Sequence, residues 1–419
     1  KMGVMESALS LNEVKENKAS KKTDGRKVST LRGLPKLTDA NWAGGARSNQ
    51  CILILCEGDS AKSGIMSGLT KDDRNTIGVF PLKGKLMNVK DVNMKKFNDN
   101  EEIKNIKKIL GLQSNKKYTK NEVMKSLRYG QILFMTDQDL DGSHIKGLCI
   151  NLFQSQWSDL FKVDKFIGYM NTPILKATKG RKTVSFYNES KYTEWKVKNN
   201  DGKGWNIKYY KGLGTSTGKE FKEYFKNKKI ISFNYTGNGS DNAIDKVFNK
   251  GRADDRKDWL GNYDKDNVLD VLKSKVNYEE FVDKEMIHFS KYDCERSIPN
   301  AIDGLKTSLR KILFAALKRN LTNEIKVAQF SGYVSEHSGY HHGEMSLNKA
   351  IVGMAQWFVG SNNINLLMPN GQFGTRLLGG KDHASERYIF TLLNPIVKYL
   401  YPSDDLPLLN YLDDDGDSI

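Results

Sequence analysis

Cysteine is scarce in this chain. Its 419 residues hold four, Cys51, Cys56, Cys149 and Cys294, and none forms a CxxC pair. That excludes a disulfide framework and a cysteine zinc ribbon. With no signal peptide in view, it suggests a reducing, intracellular setting. Long apolar runs are missing too: Cys51–Cys56 is six residues long and no apolar run exceeds it, whereas crossing a bilayer takes about 20. Negative charge is in deficit. Lys and Arg total 66 against 50 Asp and Glu, a net +16, which favours a polyanionic partner through long-range attraction and counterion release. Charge alone does not separate that reading from a merely basic soluble protein.

Two familiar motifs are absent in detail although their outlines appear. The stretch Lys211-Gly212-Leu213-Gly214-Thr215-Ser216-Thr217-Gly218-Lys219 has the glycines of a phosphate loop at the wrong spacing, and Glu220 stands where Ser or Thr is required, so it supports no nucleotide site. A looser approach of its backbone N–H groups to a phosphate stays open. His337, His341 and His342 invite a metal reading, but there is no HExxH and Gly339 interrupts any helix between them. A polar or DNA-facing role is preferred over zinc.

What is present divides by texture. Residues 1–50 are polar and basic without a sustained period and read as a linker or the tail of a further domain. The first residue is Lys1 and the end is acidic, Asp413-Asp414-Asp415-Gly416-Asp417, so both ends read as cut points in a longer protein. CILILCE and GQILFMTD read as buried strands, with Asp59 or Ser60 capping the helix after the first. HIKGLCINLFQSQWSDLF reads as an amphipathic helix. This alternation over 51–165 predicts an α/β domain with a mostly parallel sheet, and ligands of such sheets sit at the carboxyl ends of strands, where Glu57 and Asp137 fall. Residues 166–289 are lysine-rich with aromatic strands such as VSFYN and WNIKYY. From 290 onward helices dominate: SLRKILFAALKRN, NKAIVGMAQWFVG, and ERYIFTLLNPIVKYLY interrupted at Pro395.

Asp137, Asp139 and Asp141 follow the second strand at i, i+2, i+4. An extended chain would put them on one face. Crowded carboxylates repel and call for a cation, and an all-oxygen set favours magnesium or calcium. DQDLDG also opens an EF-hand pattern, but the twelfth position is Leu148 rather than Glu. An acidic turn alone would be a solvated surface feature; Glu57 at the same sheet edge supplies a fourth carboxylate.

Nine motifs then occur in order: EGDSAK (57–62), PLKGKLMNV (81–89), TDQDLDGSHIKG (136–147), YYKGLGTST (209–217), DDRKDWL (254–260), ERSIPNAIDGLK (295–306), YHHGEMSL (340–347), GQFGTR (371–376) and GGKDHASERYIFT (379–391). The series resembles the eukaryotic-type type IIA DNA topoisomerases, those of large DNA viruses included. It covers the chain from Arg32 onward. The resemblance implies an α/β plus mainly α chain. On that resemblance residues 51–165 are expected to form a magnesium-binding Toprim domain, a parallel sheet with flanking helices, and 166–289 its extension and linker. Residues 290–419 are expected to form a winged-helix cleavage domain.

The resemblance assigns magnesium to Glu57, Asp137, Asp139 and Asp141, and covalent attack on DNA to Tyr388, with Arg387 stabilising the transition state. It places Lys85, Asn88, Arg256, Lys257, Lys306 and Tyr340 at DNA-contacting positions, and Arg296 and Arg376 join them within its motifs. It implies double-stranded DNA and a second copy in a C2 dimer as partners, no membrane, ATP only for the full-length enzyme, and the nucleus as location, or the cytoplasm for a viral source. The chain departs from the family at Leu140, at Thr307-Ser308-Leu309 in place of Pro-Gly-Gln, and at His383 and Glu386 in place of small residues.

The chemistry is coherent on its own terms. A tyrosine phenol titrates near 10 and needs deprotonation and charge neutralisation to attack a phosphate. Arg387 is always charged, and His341 or His342 could help as proton acceptor or phosphate ligand. Local sequence by itself makes Tyr388, one of 18 tyrosines, a core helix residue; the motif GGKDxAxxRYI reverses that. Two rivals remain: a Toprim nuclease or primase-like enzyme that uses the carboxylates without a tyrosine, and a DNA-binding module without catalysis.

Overall fold

The computed structural model describes residues 14–411 apart from 271 and 341, together with 413–414 and 417–418. Two units emerge, residues 1–291 and 292–419.

The first unit carries strands β1 (Ile52–Glu57), β2 (Ile77–Leu82), β3 (Gln131–Met135), β4 (Ile167–Met170), β5 (Leu175–Lys179), β6 (Lys182–Phe186), β7 (Asn206–Tyr209), β8 (Ile230–Asn234) and β9 (Lys275–Asn277). Six build one sheet in the order β2-β1-β3-β4-β8-β9, parallel except where β4 meets β8; β6-β5-β7 form a separate antiparallel sheet. β1 and β3 read as unbroken apolar runs because both faces of a parallel sheet are covered. Their residues alternate between two cores: Leu53, Leu55, Ile132 and Phe134 on one side, Ile54, Cys56, Leu133 and Met135 on the other. Each such side chain contributes about 1.5–3 kcal/mol on full burial. The register sets Cys56 beside Met135 and Glu57 beside Leu82. β1 and β3 therefore deliver Glu57 and Asp137 to the same edge.

The stretch read as a linker is built into this unit. Thr38 bridges to Val79. Arg128, fully buried, donates from Nε to the Val28 carbonyl at 2.7 Å and from Nη1 to the Ile109 carbonyl at 2.9 Å, and pairs with Asp39, which also accepts from the Tyr129 hydroxyl. Buried Lys107 donates to the Ser20 carbonyl, Thr23 and Ser114. These are isolated polar anchors reaching across roughly a hundred residues of sequence, and they leave no periodic pattern to read.

Two helix expectations change in this unit. Leu140–Gln156 stops before Trp157, and nearly all of 142–153 is buried, so it is a central helix covered on all sides rather than an amphipathic one. The helix after β1 begins at Gly58, and Asp59 lies inside its first turn.

In the second unit, helices Thr307–Lys318, Val327–Ser338 and Glu344–Ala355 pack on the antiparallel sheet β10 (Ile325–Lys326), β12 (Phe390–Leu393), β11 (Leu367–Asn370), taken in spatial order. This is a winged-helix arrangement around Ile312, Phe330, Val334, Leu347, Ile351 and Leu367. The helix expected over 386–401 is instead a turn, strand β12 and the short helix Val397–Leu400. β12 is the middle strand; its Thr391 is fully buried and donates from Oγ1 to the Met368 carbonyl at 2.9 Å. Sheet pairing outweighs the apolar spacing that suggested a helix.

Candidate active site

The carboxylates of the first unit gather where β1 and β3 end. Glu57 is the last residue of β1. Asp137 lies in the loop after β3, Asp139 is the N-cap of helix Leu140–Gln156, and Asp141 sits in its first turn. The three aspartates thus do not share one face of an extended chain, because the backbone turns into a helix among them. Asp139 Oδ1 accepts from Gly142 N at 2.7 Å, and Asp141 Oδ1 pairs with Lys85 Nζ at 2.6 Å. Lys85 also lies 5.0 Å from the Phe289 ring centre.

The glycine-rich loop turns out to serve this cluster. Leu213 N donates to Asp137 Oδ1 at 2.7 Å. Gly212, at φ +152°, passes so close that a Cβ there would stand 2.5 Å from Asp137 Oδ2. The backbone N–H considered for a phosphate binds a carboxylate instead.

Electrostatics mark the cluster as short of positive charge. Burial, then the charges of Asp137, Asp139 and Asp141, push Glu57 up to about 7, against a lowering contribution from the Asp137 backbone N–H. Burial, then Asp139, raises Asp137 against the Leu213 hydrogen bond. Glu57 Oε2 is buried with no hydrogen-bond partner. An orphaned buried carboxylate oxygen beside two further carboxylates fits a hard cation. Among the described residues no three His, Cys, Asp or Glu side chains are already arranged to hold one; Asp139 and Asp141 are engaged by Gly142 and Lys85.

In the second unit Tyr388 is 70% exposed. It ends a turn closed by Tyr388 N to the Ser385 carbonyl at 2.8 Å, and the Arg387 guanidinium lies 5.6 Å from its ring centre. The loop before it is tightly held. Asp382 accepts from Thr375 N at 2.8 Å and Thr375 Oγ1 at 2.7 Å. Gln356 Nε2 donates to the carbonyls of Phe373 and Gly380. Gly374, at φ +92°, packs on Gly380 so closely that a Cβ would meet its backbone at 2.6 Å. The carbonyls of Glu386 and Ile389 accept from Ala328 N and Val327 N, tying the tyrosine turn to the start of helix Val327–Ser338. An exposed phenol on a rigid loop is an available nucleophile.

Three family models match in sequence along the chain: the Toprim domain over residues 52–170, the C-terminal associated domain of TOPRIM over 170–294, and the A subunit of DNA gyrase/topoisomerase IV over 296–419. DNA topoisomerase 2 of Arabidopsis thaliana is 53% identical over 425 residues, all of this chain and 28% of that protein. DNA topoisomerase 2-beta of Homo sapiens is 49% identical over 432 residues, all of this chain and 26% of that protein. The crystal structure of the Plasmodium falciparum topoisomerase II DNA-binding, cleavage and re-ligation domain superimposes with a TM-score of 0.82 at 50% identity, covering 94% of this chain and 54% of that one. The chain belongs to the type IIA DNA topoisomerases. It spans under a third of the length of these curated topoisomerase relatives.

Within that topoisomerase framework the remaining positions separate by their surroundings. Lys306, just before helix Thr307–Lys318, and Arg376, on the turn Arg376–Leu378, are exposed. Lys257 pairs with Asp254 at 2.7 Å on an exposed face. Arg256 donates to the carbonyls of Lys246 and Asn249. Asn88 donates to the Phe248 carbonyl and accepts from Asn151 Nδ2, each at 2.9 Å. Tyr340 is buried at 8% exposure and stands edge-on to His342, whose Nε2 lies 2.6 Å from the Tyr292 hydroxyl. Arg296 lies over the Tyr292 ring and pairs with Asp293 at 3.0 Å. His341 lies outside the described residues. His337 lies tilted against Tyr333, with ring centres 4.1 Å apart. The sequence reading misses Tyr292, which joins Arg296, Tyr340 and His342 into one group; its place four residues before Arg296 on one helix is the available signal.

Proposed function

We propose that this chain performs magnesium-dependent cleavage and religation of double-stranded DNA through a 5′-phosphotyrosyl intermediate at Tyr388. The observation that carries the reading is the exposed Tyr388 beside Arg387 on a braced loop, in a chain half identical to proteins named DNA topoisomerase 2. The Tyr388 oxygen attacks the backbone phosphorus, the 3′ oxygen leaves and takes up a proton, and the phosphodiester is exchanged for a phosphotyrosyl ester. Because the number of ester bonds is unchanged, the reverse step reseals the strand without new fuel. Arg387 offsets charge building on the phosphate. His342, or its sequence neighbour His341, would supply a proton acceptor or phosphate contact. Glu57, Asp137, Asp139 and Asp141 would hold magnesium, which when bound neutralises the phosphodiester and its leaving oxygen.

The same reading gives the chain a Toprim domain over 51–165, its extension over 166–289 and a winged-helix domain over 290–419. It makes the working unit a C2 dimer in which the tyrosine of one copy meets the carboxylates of the other. ATP-driven strand passage, and location in the nucleus, belong to the full-length enzyme. The test is incubation with supercoiled plasmid and magnesium, then detergent and protease. Protein-linked double-strand breaks are expected, and Tyr388→Phe should remove them while non-covalent DNA binding persists. Adducts at the normal level from that variant would sink the assignment.

A further inference from the structure

Helix Leu140–Gln156 carries Asp139 at its N-cap and Asp141 in its first turn, so its rotation about its axis sets where both carboxylates point. Packed against this helix is a π-helical turn, Val282–Met286, set between the helical segments Tyr278–Phe281 and Ile287–Ser297. Such turns carry one extra residue and recur at functional sites. Glu285 of this turn accepts from Ser143 Oγ at 2.7 Å and pairs with Lys146 Nζ. Lys146 is buried, its side chain 4% exposed, and its ammonium lies 4.6 Å from the Tyr169 ring centre on β4. Ser143 is buried as well, and its backbone N–H donates to the Asp139 carbonyl at 3.2 Å. Gly147 completes the contact: a Cβ there would stand 2.8 Å from Met286 Sδ. Ser143, Lys146 and Gly147 occupy i, i+3 and i+4, one face of the helix, and that face is seated on the π turn.

We propose that Glu285 is a positioning residue for the metal site: by holding Ser143 and Lys146 it fixes the first turns of the helix and thereby aims Asp139 and Asp141. The inference rests on the magnesium reading above. A chain of Glu285 to Ser143 to the Asp139 carbonyl reaches a carboxylate-bearing residue through two hydrogen bonds, and outer groups of this kind typically change metal affinity about 10–100-fold when removed.

The test measures magnesium and manganese binding by calorimetry in the absence of DNA, with amide hydrogen exchange followed over residues 141–147. Glu285→Ala should weaken metal binding by about tenfold or more and speed exchange at the helix start. Metal affinity and exchange both at the wild-type level would overturn the proposal. Because that variant leaves a buried lysine unpaired and risks unfolding, Lys146→Met/Glu285→Leu is the second arm. It replaces the ion pair by apolar groups and should recover the melting temperature, yet stay weak in metal binding because the Ser143 bond is gone. Recovery of both would make the pair purely structural and the proposal false. A wild-type chain that binds no divalent ion would sink the magnesium reading instead, and unaltered exchange in Glu285→Ala would then sink this one separately.

Discussion

The two units place their reactive groups in opposite settings. Residues 1–291 hold 54 Lys and Arg against 36 Asp and Glu, a net +18, while 292–419 hold 12 against 14, a net −2. The unit that gathers four carboxylates is therefore the one that attracts a polyanion at long range. Its Glu57 is tuned by burial and by its neighbours up to about 7. Tyr388 stands 70% exposed on a nearly neutral unit. One group is buried and set by its neighbours; the other is exposed on a braced loop. A fixed local cluster and a general field are separate devices, and one unit can carry both because screening confines the carboxylates' influence to short range.

The largest break in this comparison should come from Asp137→Ala. It removes the residue clasped by Gly212 and Leu213, and cleavage should fall by at least about a thousandfold, the several kcal/mol a bound metal supplies, as read from adduct yield across a magnesium titration. An unchanged titration would count against the cluster. Next in size, Arg128→Ala should destabilise the first unit by roughly 3–5 kcal/mol, since it leaves Asp39 without its buried partner. Denaturant unfolding followed by hydrogen exchange should show the loss in residues 20–291 and little change in 292–411. Equal loss in both would mean the units unfold together.

A smaller effect separates the units by pH. Lys208, Tyr210 and the Thr217 capping contacts hold Glu220 down to about 2 despite partial burial. A depressed carboxylate contributes stability that is complete above its unfolded value, about 4.3, and is lost as pH falls through about 2. Glu220→Gln should cost up to about 2 kcal/mol near pH 6 and almost nothing near pH 2. A cost that does not change with pH would show that the charge of Glu220 is irrelevant.

How much of this is legible in the sequence follows from the kind of contact each feature rests on. β1 and β3 are legible because a fully buried parallel strand must be continuously apolar, and Glu57 and Asp137 follow as their ends. The helix expected over 386–401 fails because Phe390, Thr391 and Leu392 suit either element and only pairing with β10 and β11 decides. Residues 20–50 look like a linker because Arg128, Lys107 and Asp39 hold them by single polar contacts, which have no period. The spacing of the Gly212 loop argues against a phosphate loop, but its partner Asp137 is 75 residues away and nothing local names it. Glu285 gives no signal at all: one glutamate in a helical stretch becomes informative only when the π turn faces it toward Ser143.

The finest distinction is between charge that touches DNA and charge that only attracts it. Residues 174–229 contain fifteen Lys and Arg against five Asp and Glu, +10 of the chain's +16. Lys176, Lys208 and Lys228 are paired with Glu223, Glu220 and Asp73, whereas Lys179, Arg181, Lys182 and Lys203 are exposed around the β5–β6 hairpin and the 200–204 turn. If these four act through the field alone, replacing them all by alanine should slow association severalfold at low salt. The slope of log affinity against log salt should then change by less than about 1. Replacing exposed Lys306 and Arg376 should instead reduce that slope by about 0.9 for each phosphate they would otherwise neutralise. A slope change of about 3 or more from the four sheet residues would move them from the attracting class to the touching one. The basic unit would then be a binding surface in its own right, well away in sequence from the carboxylates it carries.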